Sequence, residues 1–276
     1  MPRASRRSLF FSNLLLPQPP FPSFLAPLSG LGLELTRQLL QDRGYGQVFA
    51  TCRSPASATA LATLASTSNG RLTVLPLDVT DEATIAAAAA SVKASTGHVD
   101  LVLNAGGVLH IPGVMMPETG LARVSQAALT TCLAVNAAGP ILVGRAFAPL
   151  LVAAEKAAGA SEARPAVLAS ISARVGSITD NSLGGWYSYR ASKAALNALT
   201  KTAAVEFGRK KQKVAALVLH PGTCETDLSL PFRANVPQGK LFTVQRGASQ
   251  LLDIIDRATM AENGRFFAWD GQEIPW

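Results

Sequence analysis

Five short apolar runs constrain this chain more than any other feature. Residues 48–51, 72–77, 99–103, 166–170 and 214–219 are strand-length and almost without polar side chains, and segments of helical spacing separate them. A strand with one wet face alternates apolar and polar residues, whereas a continuously apolar strand is covered on both faces. Such strands, alternating with helices, imply a parallel sheet packed between helices: a doubly wound, three-layer α/β fold of the Rossmann-like kind. A last short run at 265–268 closes the pattern. Ligands of such sheets bind beyond the carboxyl ends of the strands. Arg53, Asp78, Asn104, Ser172 and Pro221 stand at or just past those ends.

The helical segments carry their own punctuation. Gly30-Leu31-Gly32-Leu33-Glu34 opens a helix through residue 43, which Gly44 and Gly46 end. Asn69-Gly70 makes a turn, and Thr80 or Asp81 caps an alanine-rich helix. A long helical region over 121–158 is expected to break near Gly139-Pro140. A hydrophobic share of 48% with 16% charged residues describes a globular core, and no linker divides 28–276, which reads as one domain. The net charge of +7 gathers in Arg3, Arg6 and Arg7 and in Arg209, Lys210, Lys211 and Lys213. The second group follows a helix and reads as a solvated turn, so no nucleic-acid partner is expected. Cys52, Cys132 and Cys224 form no metal-binding spacing. An odd, sparse set suits a reducing, intracellular compartment.

Residues 1–27 differ from the rest. They hold no acidic residue, three arginines, several serines and prolines at 17, 19, 20, 22 and 27. This is the composition of an organellar transit peptide. A secretory signal built on 9–16 is a rival, as is a segment added by a misassigned start, and composition does not separate the first from the last. The apolar-leaning run between Arg7 and Pro17 is far short of the roughly 20 residues of a membrane span, so no membrane partner is expected. The protein is accordingly expected in the cytoplasm, or in a chloroplast or mitochondrion if the segment directs it there.

Tyr189 and Lys193 lie four residues apart in a segment rich in Ala and Leu, which puts both side chains on one helical face. A phenol is a poor acid at neutral pH, and a neighbouring ammonium favours its phenolate and eases proton transfer to or from a substrate oxygen. A lone pair at this spacing would be an accident of a solvated helix; its surroundings argue otherwise. Gly30 and Gly32, Asp78, Asn104-Ala105-Gly106, Asn136, Ser170-Ile171-Ser172, Tyr189 with Lys193, and Pro221-Gly222-Thr223 occur in one order and spacing. In that ensemble the chain resembles the short-chain dehydrogenase/reductase family over 28–276. Gly176-Ser177-Ile178 and Gly185-Trp186-Tyr187-Ser188-Tyr189 resemble its C-factor-like branch, and the tail from Phe266 to Trp276 resembles plant and algal members.

The resemblance implies roles. Tyr189 would be the acid in carbonyl reduction or the base in alcohol oxidation, with Lys193 lowering its pKa and binding the nicotinamide ribose. Asn136 would hold a water relay, or else satisfy backbone inside its helix. Ser29, Gly30, Leu31 and Gly32 would border the pyrophosphate. Asp78 and Val79 would lie at the adenine, with a plain helix cap as the alternative for Asp78. Asn104, Ala105 and Gly106 would pass close to the adenosine ribose, and Pro221, Gly222 and Thr223 would border the nicotinamide. His220 would be structural, and Thr226 and Asp227 would begin a substrate loop. The lid over 228–242, with Leu230, Phe232, Val236 and Leu241, suggests an apolar, small-molecule substrate. An acid after the second strand binds a ribose 2′-hydroxyl; here Arg53 stands there and could pair with a 2′-phosphate, so NADP(H) is expected over NAD(H). A homodimer or tetramer is also implied.

Two departures from the family pattern stand out. Leu25 and Ala26 replace the threonine and first glycine of the glycine-rich turn, Pro27 falls inside it, and 21–24 makes a poor first strand. Residues 9–16 could substitute as that strand, at the cost of a long separation from Gly30. Secondly, Ala173 occupies the usual place of the carbonyl-polarising serine, which leaves Ser172 first and Ser177 as its competitor.

Overall fold

The computed structural model describes residues 8–12, 30–43, 45–158 and 164–276. Seven strands form one parallel sheet: β1 (Ser8–Ser12), β2 (Gln47–Cys52), β3 (Leu72–Pro76), β4 (Leu101–Asn104), β5 (Ala166–Ile171), β6 (Val214–His220) and β9 (Phe266–Ala268). Their order is β3-β2-β1-β4-β5-β6-β9, so the chain reverses direction across the sheet between β1 and β4. A minor pair, β7 (Thr223–Cys224) and β8 (Leu241–Phe242), stands apart from it.

The apolar runs divide their residues between two cores in strict alternation. Val48, Ala50, Leu101, Leu103, Val167, Ala169, Leu217 and Leu219 face one layer, built with α1 (Leu31–Gln41), α2 (Thr59–Ser66) and α7 (Val244–Arg257). Phe49, Val102, Leu168, Val214 and Ala216 face the other, built with α3 (Glu82–Thr96), α5 (Gly139–Ala158) and α6 (Tyr187–Arg209). Two covered faces explain why these strands are apolar throughout. Arg43 ties the end of α1 to α7 through Asp253 at 2.7 Å and Asp256 at 2.8 Å.

The first strand is a correction. The sheet takes Ser8–Ser12 at its centre, overlapping the 9–16 alternative, so a boundary at residue 28 leaves out a strand that the fold contains, while 21–24 lie outside the described residues. Leu9 aligns with Val48 on one side and with Leu101 on the other. Asp100 fixes the register: its carboxylate accepts from Ser8 N at 2.6 Å, and its own N–H donates to Ser8 O at 2.6 Å. The physical reason is donor supply. A central strand uses its N–H groups on both sides, which Pro22 would deny to 21–24, while 8–12 is free of proline. The long connection to α1 is no obstacle, because closure entropy grows only logarithmically with loop length. Ser29 and the turn at Leu25, Ala26 and Pro27 lie outside the described residues.

The expected break near Gly139-Pro140 is also revised. A π-helical turn, Ala134–Ala138, joins α4 (Gln126–Leu133) to α5 without interruption. Gly139 is small for a packing reason: a Cβ there would stand 2.6 Å from Val79 Cβ and 2.9 Å from Val79 O.

Deleting residues 1–27 therefore removes the central strand. We expect that truncated chain to lose cooperative urea unfolding, while deletion of 1–5 leaves the transition intact; a well-folded 28–276 chain would restore the removable-leader reading.

Candidate active site

All strands of a parallel sheet end at one edge, and that edge collects most of the residues singled out above. Gly30 starts α1 there, with φ 152°, no side-chain cap on the helix and nothing within 4 Å of the position a Cβ would take. Leu31 and Gly32 follow in the first turn. Arg53 comes directly after β2, and burial lowers its pKa while the Asp78 carboxylate opposes the shift. Asp78 Oδ1 accepts from Thr80 N at 2.8 Å and from Thr80 Oγ1 at 2.6 Å, a turn of its own; the cap of α3 is Asp81, which accepts from Ala83 N. Asn104 ends β4, reaching Pro140 O at 3.3 Å and Ser170 Oγ at 3.4 Å. Ala105 and Gly106 continue from it.

Helix α6 runs beneath this edge and presents Tyr189, 7% exposed, and Lys193, 2% exposed. Lys193 Nζ donates to Ile171 O at 2.9 Å and lies 5.7 Å from the centre of the Tyr189 ring. Burial lowers the lysine to about 8, against a partial counter-effect from Cys132. The phenol moves opposite to the sequence expectation. Burial pushes Tyr189 well above its ordinary value, and the buried Cys132 adds to the rise. Burial penalises the charged phenolate, so the buried site favours the neutral phenol.

Asn136 sits in the π turn and is fully buried. Its Oδ1 accepts from Val108 N at 2.6 Å, and its Nδ2 donates to Val108 O at 2.8 Å and to Ser192 Oγ at 2.9 Å. Both amide protons are thus committed to holding the loop after β4 against α6, the backbone-satisfying alternative, and a second Oδ1 lone pair is left over. Gly107 completes the joint, since a Cβ there would stand 3.2 Å from Lys193 Nζ.

The two serines differ in their bonding. Ser172 Oγ donates to Asn197 Oδ1 at 2.7 Å. Ser177 is equally buried, and its oxygen accepts from Asp180 N at 3.1 Å. Gly176, just before it, packs against α6 so tightly that a Cβ would fall 2.8 Å from Lys193 Cβ. At the end of β6, His220 is pushed down to about 4 by burial and by the charge of Arg174, so it is neutral at ordinary pH. Pro221 and Gly222 follow; Gly222 has φ 73° and lies under the Phe242 and Trp269 rings. Thr223 opens β7.

A cavity of about 510 Å³ opens next to Trp186, with Ile111, Met115 and Phe232 among its apolar walls and Glu118, Arg123 and Thr131 among its polar ones. The Trp186 ring stands 6.2 Å from that of Tyr189 and 4.9 Å from that of Phe232. Of the expected lid residues only Phe232 lines it: Leu230 is 59% exposed and Leu241 pairs in the minor ladder. Sequence reasoning missed Gly107, Gly176 and Cys132. Glycine doublets and Gly-Ser steps near a motif were the available signal for the first two; nothing local marked the cysteine.

The profile of the short chain dehydrogenase family matches residues 26–236, and the chain belongs to that family. It is an NAD(P)-dependent oxidoreductase of that class. Among curated relatives, it is 31% identical to the 1-hydroxy-2-glutathionyl-2-methyl-3-butene dehydrogenase of Rhodococcus sp. (strain AD45), over 90% of this chain and 95% of that one. It is 30% identical to the C-signal protein of Myxococcus xanthus, over 66% and 95% of the two chains. Among solved structures, the carbonyl reductase Sniffer of D. melanogaster superposes with a TM-score of 0.80 at 26% identity, over 98% and 99% of the chains. An NADPH-bound carbonyl reductase from chicken fatty liver gives 0.81 at 28%, over 99% and 100%.

Asn136→Ala would strand the buried Val108 N–H. Unfolding in urea should show a loss of about 1–3 kcal/mol, the cost of an unsatisfied buried group; an unchanged midpoint would mean the joint carries no load.

Proposed function

We propose that the chain is an NADP(H)-preferring reductase of small, apolar carbonyl compounds, working reversibly on the corresponding secondary alcohols. The observation that carries this reading is the buried pair of Tyr189 and Lys193 on one face of α6, one turn from Trp186, which lines the cavity. A neutral phenol is what carbonyl reduction requires, because oxygen gains a proton as carbon gains hydride. The likeness to carbonyl reductases adds support.

The residues present suit a nicotinamide dinucleotide. The uncapped start of α1 offers amide donors and a positive helix end to a pyrophosphate. Lys193 uses one of its three donors on Ile171 O, which leaves two for ribose hydroxyls. Arg53, half-buried at the end of β2, suits a 2′-phosphate. The cofactor, when bound, supplies the hydride. For the chain's part, Tyr189 donates its proton to the carbonyl oxygen and Lys193 stabilises the phenolate left behind. Ser177 is the better candidate to polarise the carbonyl, since the Ser172 proton is already given to Asn197. Trp186, Phe232 and the methionines exclude water and favour an apolar body.

A second reading is a catalytically weak nucleotide-binding signalling protein of the C-factor-like branch, its tail resembling plant and algal members. It draws on Ala173 and on the C-signal relative. The buried free thiols of Cys52, Cys132 and Cys224 suit a reducing compartment for either.

Titration of the full chain by tryptophan fluorescence should give tighter binding of NADPH than of NADH, and Arg53→Ala should weaken NADPH about 10- to 100-fold, the worth of a charged hydrogen bond, with NADH little changed. Equal affinities would remove the NADP(H) preference, and NADPH binding without turnover of any aldehyde would select the signalling reading. Aldehyde reduction in the wild type, abolished in Tyr189→Phe, should hold steady below pH 7 and decline through about pH 8 as Lys193 loses its proton; a rate that rises through this range would contradict the assigned roles.

A further inference from the structure

Helix α6 runs for 23 residues, and its first amides need acceptors from outside the helix. Its own sequence supplies none. The capping position is Trp186, held in the left-handed region at φ 52°, ψ 43°, with no side-chain acceptor to offer. Gly184 and Gly185, both at φ 65°, bring the chain into that position.

The missing acceptors come from Glu118, 70 positions earlier in the chain. Its backbone oxygen accepts from Trp186 N at 2.6 Å. Its carboxylate accepts from Ser188 N, at 3.3 Å and 3.2 Å to the two oxygens, and from the Ser188 hydroxyl. Glu118 is only 3% exposed. Burying a carboxylate is costly unless it is well bonded, and the positive end of a long helix is a favourable place for it. Gly185 accommodates the contact, since a Cβ there would stand 3.4 Å from Glu118 O.

Tyr189 is the next residue after Ser188. Whatever fixes the first turn of α6 fixes where the phenol sits. We propose that Glu118 is a positioning residue for Tyr189: a helix cap supplied across the fold that sets the phase of the turn carrying the proton donor. It is also one of the walls of the cavity, but it acts on the phenol through Ser188 and Trp186. The inference rests on the role given to Tyr189 above.

The chain has three tyrosines, Tyr45, Tyr187 and Tyr189, so 3-fluorotyrosine labelling gives three fluorine resonances, with that of Tyr189 assigned by its loss in Tyr189→Phe. In Glu118→Ala the Tyr189 resonance should shift or broaden while that of Tyr45 stays in place. In Glu118→Gln, which keeps an acceptor, it should remain sharp. With benzaldehyde and NADPH, Glu118→Ala should lower kcat about 10- to 100-fold, the scale of a 1 Å misplacement, with the Kd for NADPH within about twofold. Glu118→Gln should recover most of the rate. An unmoved Tyr189 resonance with unchanged kcat in Glu118→Ala would overturn the proposal, as would a displacement of all three resonances together with a weakened Kd for NADPH. Should Glu118→Ala not fold, Ser188→Ala removes only the hydroxyl donor and is judged by the same two outcomes. If the wild type does not turn over benzaldehyde, the reductase reading loses support for that substrate, and the fluorine spectra alone decide whether Glu118 orders Tyr189.

Discussion

The backbone ladder of Ser8–Ser12 is the constraint on which the rest depends. It bonds to β2 on one side and to β4 on the other, at the point where the chain changes direction across the sheet. Without it, two buried edges would present unpaired N–H and C=O groups inside an apolar core, each costing about as much as a lost hydrogen bond. The carboxyl-end edge would also part in the middle, between the Arg53 side and the Asn104 side. The site is a property of that edge, so the integrity of the central ladder and of the site are one question.

The electrostatics of the site follow from depth. Tyr189 and Lys193 are both taken out of water by the strands and loops above α6, and each is driven toward its neutral form: the phenol upward, the amine downward to about 8. Proximity of opposite charges alone would have moved both the other way. Desolvation wins because the lysine's nearest acceptor is the Ile171 carbonyl, and its nitrogen stands 5.7 Å from the tyrosine ring centre.

Much of this was legible in the sequence, for identifiable reasons. The uninterrupted apolar runs announce two-sided burial, and the structure divides each of them residue by residue between two cores. That Tyr189 and Lys193 share one helix face was legible because it depends only on spacing within the helix. The first strand was discounted because the family pattern directs attention to the residues next to Gly30, and the separation of 9–16 from Gly30 counted against it. The acceptors of α6 were invisible for a related reason: Glu118 caps from 70 positions away, and sequence rules for caps look only at neighbours. The direction of the phenol's shift was out of reach because it depends on depth, which a motif does not encode.

The joint made by Asn136 has a mechanical meaning. One amide bonds both the Val108 backbone, which continues the loop from Asn104, and Ser192 on the helix that carries Tyr189. The loop after β4 and the helix that carries Tyr189 therefore share a frame of reference. Thermal displacement of one carries the other along, so their relative error stays small even when their common position drifts. What such a joint protects is the distance between two elements and not the coordinates of either.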